Sequence, residues 1–341
     1  MRRIAEEDLE HILQYTLSIW EIAREKTIFI TGGTGFFGKW LLESFLYVNE
    51  KLNLCSKLVV LSRNPPAFLR DNPQFNHSSI SFITGDIATF LYPDIPIDYI
   101  VHAATEASAI LNVEFPFLMF DAIVSGTRHI LELAKLKEVS SILHTSSGAV
   151  YGKQPGSITH MYEDYLGAPD IYEETSAYGE GKRVAEMLAN LYHLKYAVPS
   201  KIARCYAFIG PYLPLNQHYA IGNFLNDVLN EKDILVAGNG TPYRSYLYAS
   251  DLVVWLWTIL FKGISGRPYN VGSDNALTIE ELAGKIAGLS QKKLKVQVMG
   301  KIDAHPPLRY VPSIDRVKKE LGLEVKIDLE SALQKTLKFY L

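Results

Sequence analysis

Three side chains in this chain are of types that move a proton while a hydride leaves carbon: Ser147, Tyr178 and Lys182. The spacing Tyr-x-x-x-Lys occurs twice, at Tyr47/Lys51 and Tyr178/Lys182, so spacing alone selects neither pair. Position selects. Tyr47 falls near the end of the first helix after a glycine turn, remote from any strand exit. Tyr178 follows a strand-like run that ends in Thr145-Ser146-Ser147. Four residues apart on a helix, Tyr178 and Lys182 lie one turn apart on one face. A cation at that distance lowers a phenol from its usual pKa of about 10. Tyr178 can then take the proton of a hydroxyl as hydride leaves the same carbon, with Ser147 hydrogen-bonded to the reacting oxygen.

Such chemistry needs a hydride carrier, and an earlier stretch supplies its cradle. The run Thr27-Ile28-Phe29-Ile30-Thr31 ends in Gly32-Gly33-Thr34-Gly35-Phe36-Phe37-Gly38, and Lys39 to Leu46 reads as a helix. Strand, tight glycine turn and helix N-terminus are the first turn of a dinucleotide-binding unit. The backbone at Gly32, Gly35, Phe36, Phe37 and Gly38 can approach a pyrophosphate closely, and free N–H groups at the helix start donate to it. The second strand, Lys57 to Leu61, ends at Ser62-Arg63. NAD enzymes carry an acid there for the ribose 2′-hydroxyl, whereas a hydroxyl and a guanidinium suit a 2′-phosphate. NADP is therefore expected in preference to NAD, and an oxidised nicotinamide beside Tyr178 lowers its phenol further.

The remaining elements position these groups. Ile80 to Thr84 reads as a third strand leading into Gly85-Asp86-Ile87. Asp98 to Ala104 reads as a fourth, with Ala103 and Ala104 small where a backbone passes near a cofactor. Pro116 to Lys137 is a long helix, Ser140 to Thr145 a fifth strand, and Ser200 to Tyr206 a sixth. Residues 153–175 form a long loop, and a second long helix starts at Ala177. Strands alternating with helices give an α/β fold, a Rossmann-type doubly wound parallel sheet with ligands at the carboxyl ends of its strands. His102 and His144 sit inside strand-like runs and read as buried structural residues. The expected organisation is an N-terminal helix over 1–25, a dinucleotide-binding domain over 26–210 with its sheet completed by about 250–272, and a smaller α/β substrate-binding domain from 211–249 and 273–341. Leu252 to Phe261 and Tyr269 to Val271 are expected to return to the main sheet, and Ile234 to Gly240 reads as hairpin-like.

A length of 341 residues suits a nucleotide domain plus a smaller part. With 48% hydrophobic and 21% charged residues the composition is that of an ordinary globular protein. A net charge of −3 gives no reason to expect nucleic acid or an anionic membrane as partner. Cys55 and Cys205, far apart in sequence, fit a reducing compartment, and the acidic N-terminus carries no apolar signal core. A cytoplasmic protein is expected. No metal-type Cys/His cluster is visible.

Gly32-x-x-Gly35-x-x-Gly38, Ser147-Gly-Ala-Val-Tyr-Gly, Tyr178-x-x-x-Lys182, Arg204 with Gly210-Pro211, and Arg244 to Asp251 occur here in that order. Together they resemble the extended short-chain dehydrogenase/reductases, and within these the nucleotide-sugar epimerase/dehydratase family. Tyr178 to Leu191 and Gly222 to Asp251 look most like UDP-glucuronate decarboxylases. Leu308-Arg309-Tyr310 with Lys319-Glu320-Leu321-Gly322 is similar to the tail of dTDP-glucose 4,6-dehydratases. The resemblance implies a catalytic triad of Ser147, Tyr178 and Lys182. It places Tyr206 by the nicotinamide and Asp86 and Ile87 by the adenine. It implies that Asn223, Arg244 and Arg309 hold the diphosphate of a nucleotide-sugar substrate. It also implies a homodimer in which helices 116–137 and 178–196 pair across a two-fold axis. Phe117, Met119, Phe120, Leu131, Met187, Leu188 and Leu191 carry apolar character beyond one stripe of these helices.

The departures from that pattern narrow the reaction. The dehydratases and decarboxylases place a Glu two residues before the Tyr of Val-Tyr-Gly, and the dehydratases an acid one residue earlier. Here these positions are Ala149 and Gly148. Proton removal at C5 and expulsion of water at C6 then lack their usual catalysts. Ile123 and Ala207 stand where the family has Asn. What survives is oxidation or reduction at the sugar C4, by a 4-epimerase or a 4-ketoreductase. The alternatives are a dehydratase or decarboxylase with its acid moved to Glu173 or Glu174, and a non-catalytic NADP-sensing protein on the same fold.

Overall fold

The computed structural model describes residues 2–104, 109–216, 219–301 and 306–341. The chain opens with helix α1 (Glu6–Thr16), followed by two short 3₁₀ turns at Leu17–Ile19 and Glu21–Ala23 in place of one continuous helix. Strand β1 (Thr27–Thr31) then leads through the glycine turn into α2 (Phe36–Lys51). Strand β2 (Lys57–Ser62), helix α3 (Pro65–Asp71), strands β3 (Ile80–Thr84) and β4 (Tyr99–His102), and helices α4 (Ala109–Glu114) and α5 (Pro116–Leu136) follow. Strand β5 (Ser141–Ser147), helix α6 (Ala177–Tyr196) and strand β6 (Ser200–Cys205) complete the first part.

These strands and β11 (Pro268–Val271) form a seven-stranded sheet in the order β11-β6-β5-β4-β1-β2-β3, parallel throughout. Phe29, Ile30, Val60, Ile100 and Val101 are buried because helices cover both faces, which is why these strands read as continuous apolar runs. Helices α5 and α6 pack together on one face. Helices α1 and α2, with α8 (Ala249–Lys262), cover the other.

Two expectations for the second half fail. Leu252 to Phe261 lies in α8, all buried, instead of in the sheet. A run apolar but for Thr258 fits a buried helix as well as a buried strand, and its length belongs to a helix. Ile234 to Gly240 is not a hairpin. Strand β8 (Ile234–Val236) pairs in parallel with β13 (Val296–Val298), some sixty residues on.

The rest of the second half contains β7 (Phe208–Ile209) paired with β10 (Leu247–Tyr248), and helices α7 (Ala220–Leu229) and α9 (Ile279–Ala287). A small sheet in the order β12-β9-β14 joins Leu277–Thr278, Tyr243–Arg244 and Arg309–Tyr310. Helices α10 (Asp315–Leu321) and α11 (Leu329–Tyr340) close the chain. The α1 segment ties these parts together. Asp8 accepts from the Tyr248 hydroxyl at 2.7 Å and from Lys335 at 3.0 Å, and His11 meets Asp251 at 2.8 Å.

Candidate active site

The dinucleotide cradle is built from backbone. Gly32 has φ +72°, and a Cβ there would stand 2.4 Å from the Ala103 carbonyl oxygen, so only glycine lets β1 turn against the end of β4. The Ala104 N–H donates to Thr31 Oγ1 at 3.1 Å, which fixes that crossing. Gly38 packs on the Gly33 backbone, where a Cβ would come within 2.3 Å. Helix α2 starts at Gly35 with no side chain capping it, which leaves its first N–H groups for an anion. Ser62 and Arg63 stand at the carboxyl end of β2, with the Ser62 Oγ accepting from the Asn64 N–H at 3.3 Å and Arg63 exposed. Asp86 and Ile87 follow the end of β3. The Asp86 carboxylate accepts from the Ala88 N–H at 2.9 Å, and Ile87 packs against Gly126 of α5. These residues fit a dinucleotide.

Beside this cradle the structure brings Ser147, Tyr178 and Lys182 together. Ser147 is the last residue of β5, and Tyr178 lies in the first turn of α6. Lys182 reaches back over β5 and donates to the Thr145 carbonyl at 2.7 Å, its Nζ standing 5.9 Å from the Tyr178 ring centre. Ser147 faces the Tyr178 phenol and acts to lower its pKa. Burial pushes the Lys182 ammonium down to about 8. Burial also raises the Tyr178 phenol, with Tyr310 adding to the rise and Ser147 opposing it. In the chain by itself removal from water thus raises the phenol, whereas the expected depression belongs to a site that also holds the oxidised nicotinamide. The other motif copy is different: the Tyr47 hydroxyl binds Glu10 on the surface, and the carboxylate holds that phenol up to about 12.

His102 and His144 are buried as expected. His102 bridges Thr31 and Thr127 at 2.9 and 3.1 Å, and burial drives both imidazoles well below their ordinary range, so they are neutral. Ser146, beside Ser147, is turned away to Glu186, which also pairs with Arg204 at 2.7 Å. That pair locks α6, and with it Tyr178, to β6.

Tyr206 follows β6 and stands against Gly148, the site of one missing acid. A Cβ at 148 would be 2.7 Å from the Tyr206 ring. Tyr310 packs against Tyr206 with ring centres 4.6 Å apart and ring planes tilted by 38°, and its hydroxyl lies 3.3 Å from Ser147 Oγ. Tyr310 was missing from the sequence-based site. Its neighbour Arg309 belongs to the expected site, and the two residues take different sides of their strand. On β14 successive side chains point to opposite faces of the small sheet. Tyr310 pairs in register with Arg244, whose guanidinium lies 5.9 Å from its ring, so these two share the face toward Ser147. Arg309 pairs with Tyr243 and covers its ring at 4.0 Å on the opposite face. Arg244 and Arg309 therefore do not converge, and alternation along Arg309-Tyr310 was the signal available in the sequence. Asn223 lines a cavity of about 280 Å³ with Phe224, Gly238, Pro242 and Ile279.

Glu173 pairs with Lys153 at 2.6 Å on the surface, and the 3₁₀ turn beginning at Glu174 leads into α6. Neither is among the partners of Ser147 or Tyr178 in the described residues.

Residues 28–272 match the model of the NAD dependent epimerase/dehydratase family. The chain belongs to that family. Among its relatives, UDP-glucuronic acid decarboxylases 6 and 5 of Arabidopsis thaliana are 31% and 32% identical over 309 and 308 residues, in each case 90% of this chain and 86% of theirs. A dTDP-glucose 4,6-dehydratase from Streptomyces venezuelae, solved with NAD bound, superposes with a TM-score of 0.77 at 25% identity, over 92% of this chain and 96% of that one. A UDP-glucuronic acid 4-epimerase from Bacillus cereus, solved with UDP-glucuronic acid and NAD, gives a TM-score of 0.77 over 92% of this chain and 98% of that one. At 22% identity that likeness bears on the fold alone. Membership agrees with the cradle: the fold and glycine turn are those of NAD(P)-dependent, nucleotide-sugar-modifying enzymes. Among the described residues no helix is long and apolar enough to cross a membrane.

Proposed function

We propose that this protein transfers hydride at C4 of a nucleotide-diphosphate sugar, as a 4-epimerase or 4-ketoreductase, without losing water or carbon dioxide. The observation that carries this reading is the assembled Ser147–Tyr178–Lys182 group beside positions 148 and 149 that hold no acid. The bound dinucleotide supplies the hydride donor or acceptor. Ser147 hydrogen-bonds the C4 oxygen, and Tyr178 takes its proton on oxidation and returns it on reduction. Lys182, anchored on the Thr145 carbonyl, places a cation on the phenol's face. Arg244, on the Tyr310 side of the small sheet, suits the diphosphate. The smaller parts of the chain, 211–249 and 273–341, form the nucleotide-sugar side of the cleft.

Ser62 and Arg63 at the end of β2 favour NADP as the dinucleotide. The exposed apolar side chains Phe117 and Leu118 on α5 and Met187, Leu191 and Leu194 on α6 support a homodimer through these helices.

A second reading, decarboxylation of UDP-glucuronic acid, is favoured by the Arabidopsis relatives and opposed by Ala149. Incubation with UDP-, dTDP-, CDP- and GDP-sugars, UDP-glucuronic acid and 4-keto sugars, with absorbance and product mass followed together, separates the readings. Carbon dioxide released from UDP-glucuronic acid would select the second.

A further inference from the structure

A serine hydroxyl has one proton to give and two acceptor positions to fill. At Ser147 Oγ the Ala149 N–H fills one at 3.1 Å. The Tyr310 hydroxyl stands 3.3 Å from the same atom, and Ser147 also acts on the Tyr178 phenol, lowering its pKa against the rise from burial. We propose that Tyr310 is a positioning residue for C4 chemistry, donating to Ser147 Oγ so that the single Ser147 proton points at the Tyr178 oxygen and the reacting sugar oxygen. The inference rests on the hydride-transfer reading above.

Three features hold Tyr310 in that role. Its ring packs at a tilt against Tyr206, which itself bears on the Gly148 backbone. Its strand is tied by pairing with β9. Its other acceptor within reach, the Cys205 carbonyl, is 3.4 Å away, so the hydroxyl is confined between that oxygen and Ser147. Burial raises the Tyr310 phenol to about 12, so it keeps its proton near neutral pH and acts as a donor. The charged and titratable groups facing the two phenols are Lys182, Cys205, Tyr206, Tyr219 and Arg244. Tyr178 and Ser147 do the chemistry, and Tyr310 acts through Ser147.

Tyr310→Phe removes the donor and leaves the ring packed on Tyr206. The expected result is a kcat lower by about tenfold, the weight of one neutral hydrogen bond. KM should stay within about twofold, and the pH limb belonging to Tyr178 should move upward, because the phenolate loses part of the Ser147 donation. A changed KM with kcat and the pH limb unaltered overturns the proposal and makes Tyr310 a substrate contact instead. A second readout is independent of turnover. The Cζ resonance of isotopically labelled Tyr178, assigned by its loss in Tyr178→Phe, should shift in Tyr310→Phe. An unmoved resonance overturns the proposal. Absence of hydride transfer with every nucleotide sugar defeats the functional reading by itself, and the resonance still decides whether Tyr310 orients Ser147.

Discussion

Gly148 and Tyr206 occupy one space: a Cβ on Gly148 would lie 2.7 Å from Cζ of Tyr206 and under 3 Å from both Cε atoms. The missing acid at 148 is therefore bound up with the aromatic that follows β6. No side chain fits at 148 while that ring stays in place. Gly148→Ala should destabilise the fold by about 1–3 kcal/mol through overpacking. In a double-mutant cycle with Tyr206→Ala much of that loss should vanish, giving a coupling above about 0.5 kcal/mol. Denaturant melts of the four proteins measure it, and additive losses would mean that the two positions do not compete.

Glu43 of α2 gives a pH-dependent stability. Its carboxylate accepts from the Ile4 N–H at 3.2 Å and from the Tyr212 hydroxyl, and burial raises its pKa to about 7. A raised acid binds more protons folded than unfolded between about pH 4.5 and 7, so stability falls as pH rises through that window. Above pH 7 the penalty is fully present. Glu43→Gln keeps an acceptor for Ile4 and can donate to Tyr212, whose hydroxyl can pass its own proton to the Arg2 carbonyl at 3.1 Å. The variant should match the native protein near pH 4.5 and exceed it by about 2–3 kcal/mol at pH 8. Melting curves at both pH values test this, and an equal difference at the two would place the titration elsewhere.

Arg63 is exposed at the end of β2, next to the buried Ser62. NADP(H) should bind more tightly than NAD(H), and Arg63→Ala should weaken NADP(H) by about tenfold while leaving NAD(H) nearly unchanged, as the loss of a charge-assisted hydrogen bond requires. Calorimetric titration with both cofactors reads it directly. Equal affinities in the native protein would remove the argument from Ser62 and Arg63.

Phe117 on α5, 85% exposed, and Met187 on α6, 54% exposed, leave an apolar surface on the packed helix pair. A dimeric mass by light scattering at micromolar concentration is expected, with Phe117→Glu/Met187→Glu shifting it to the monomer. A native monomer would contradict the dimer.

Much of the fold was legible because its signals are local. The β1 run and its glycine turn follow from residue type, and the burial of His102 and His144 from the strand-like runs that hold them. The misreadings share one cause. Whether Leu252 to Phe261 is helix or strand depends on what covers it, since a run whose one polar residue is Thr258 has no polar face to show a period. Ile234 to Val236 finds its partner at Val296 to Val298, which no local pattern announces. In the site, Ser147, Tyr178 and Lys182 were readable from type and order. The pKa of Tyr178 was not, because burial decides its sign. Tyr310 carries no charge and shows only through strand alternation, which pairs it with Arg244 while Arg309 pairs with Tyr243.

The central claim is hydride transfer at C4 without loss of carbon or water. Its most direct test is product mass from native protein and Tyr178→Phe, incubated with the nucleotide-sugar panel and NADP(H) or NAD(H). The account predicts an epimer of unchanged mass or a reduced 4-keto sugar from the native protein, and turnover lower by roughly 10²–10⁴-fold in the variant. A product lighter by water or carbon dioxide, or turnover kept within a few-fold in Tyr178→Phe, would contradict it.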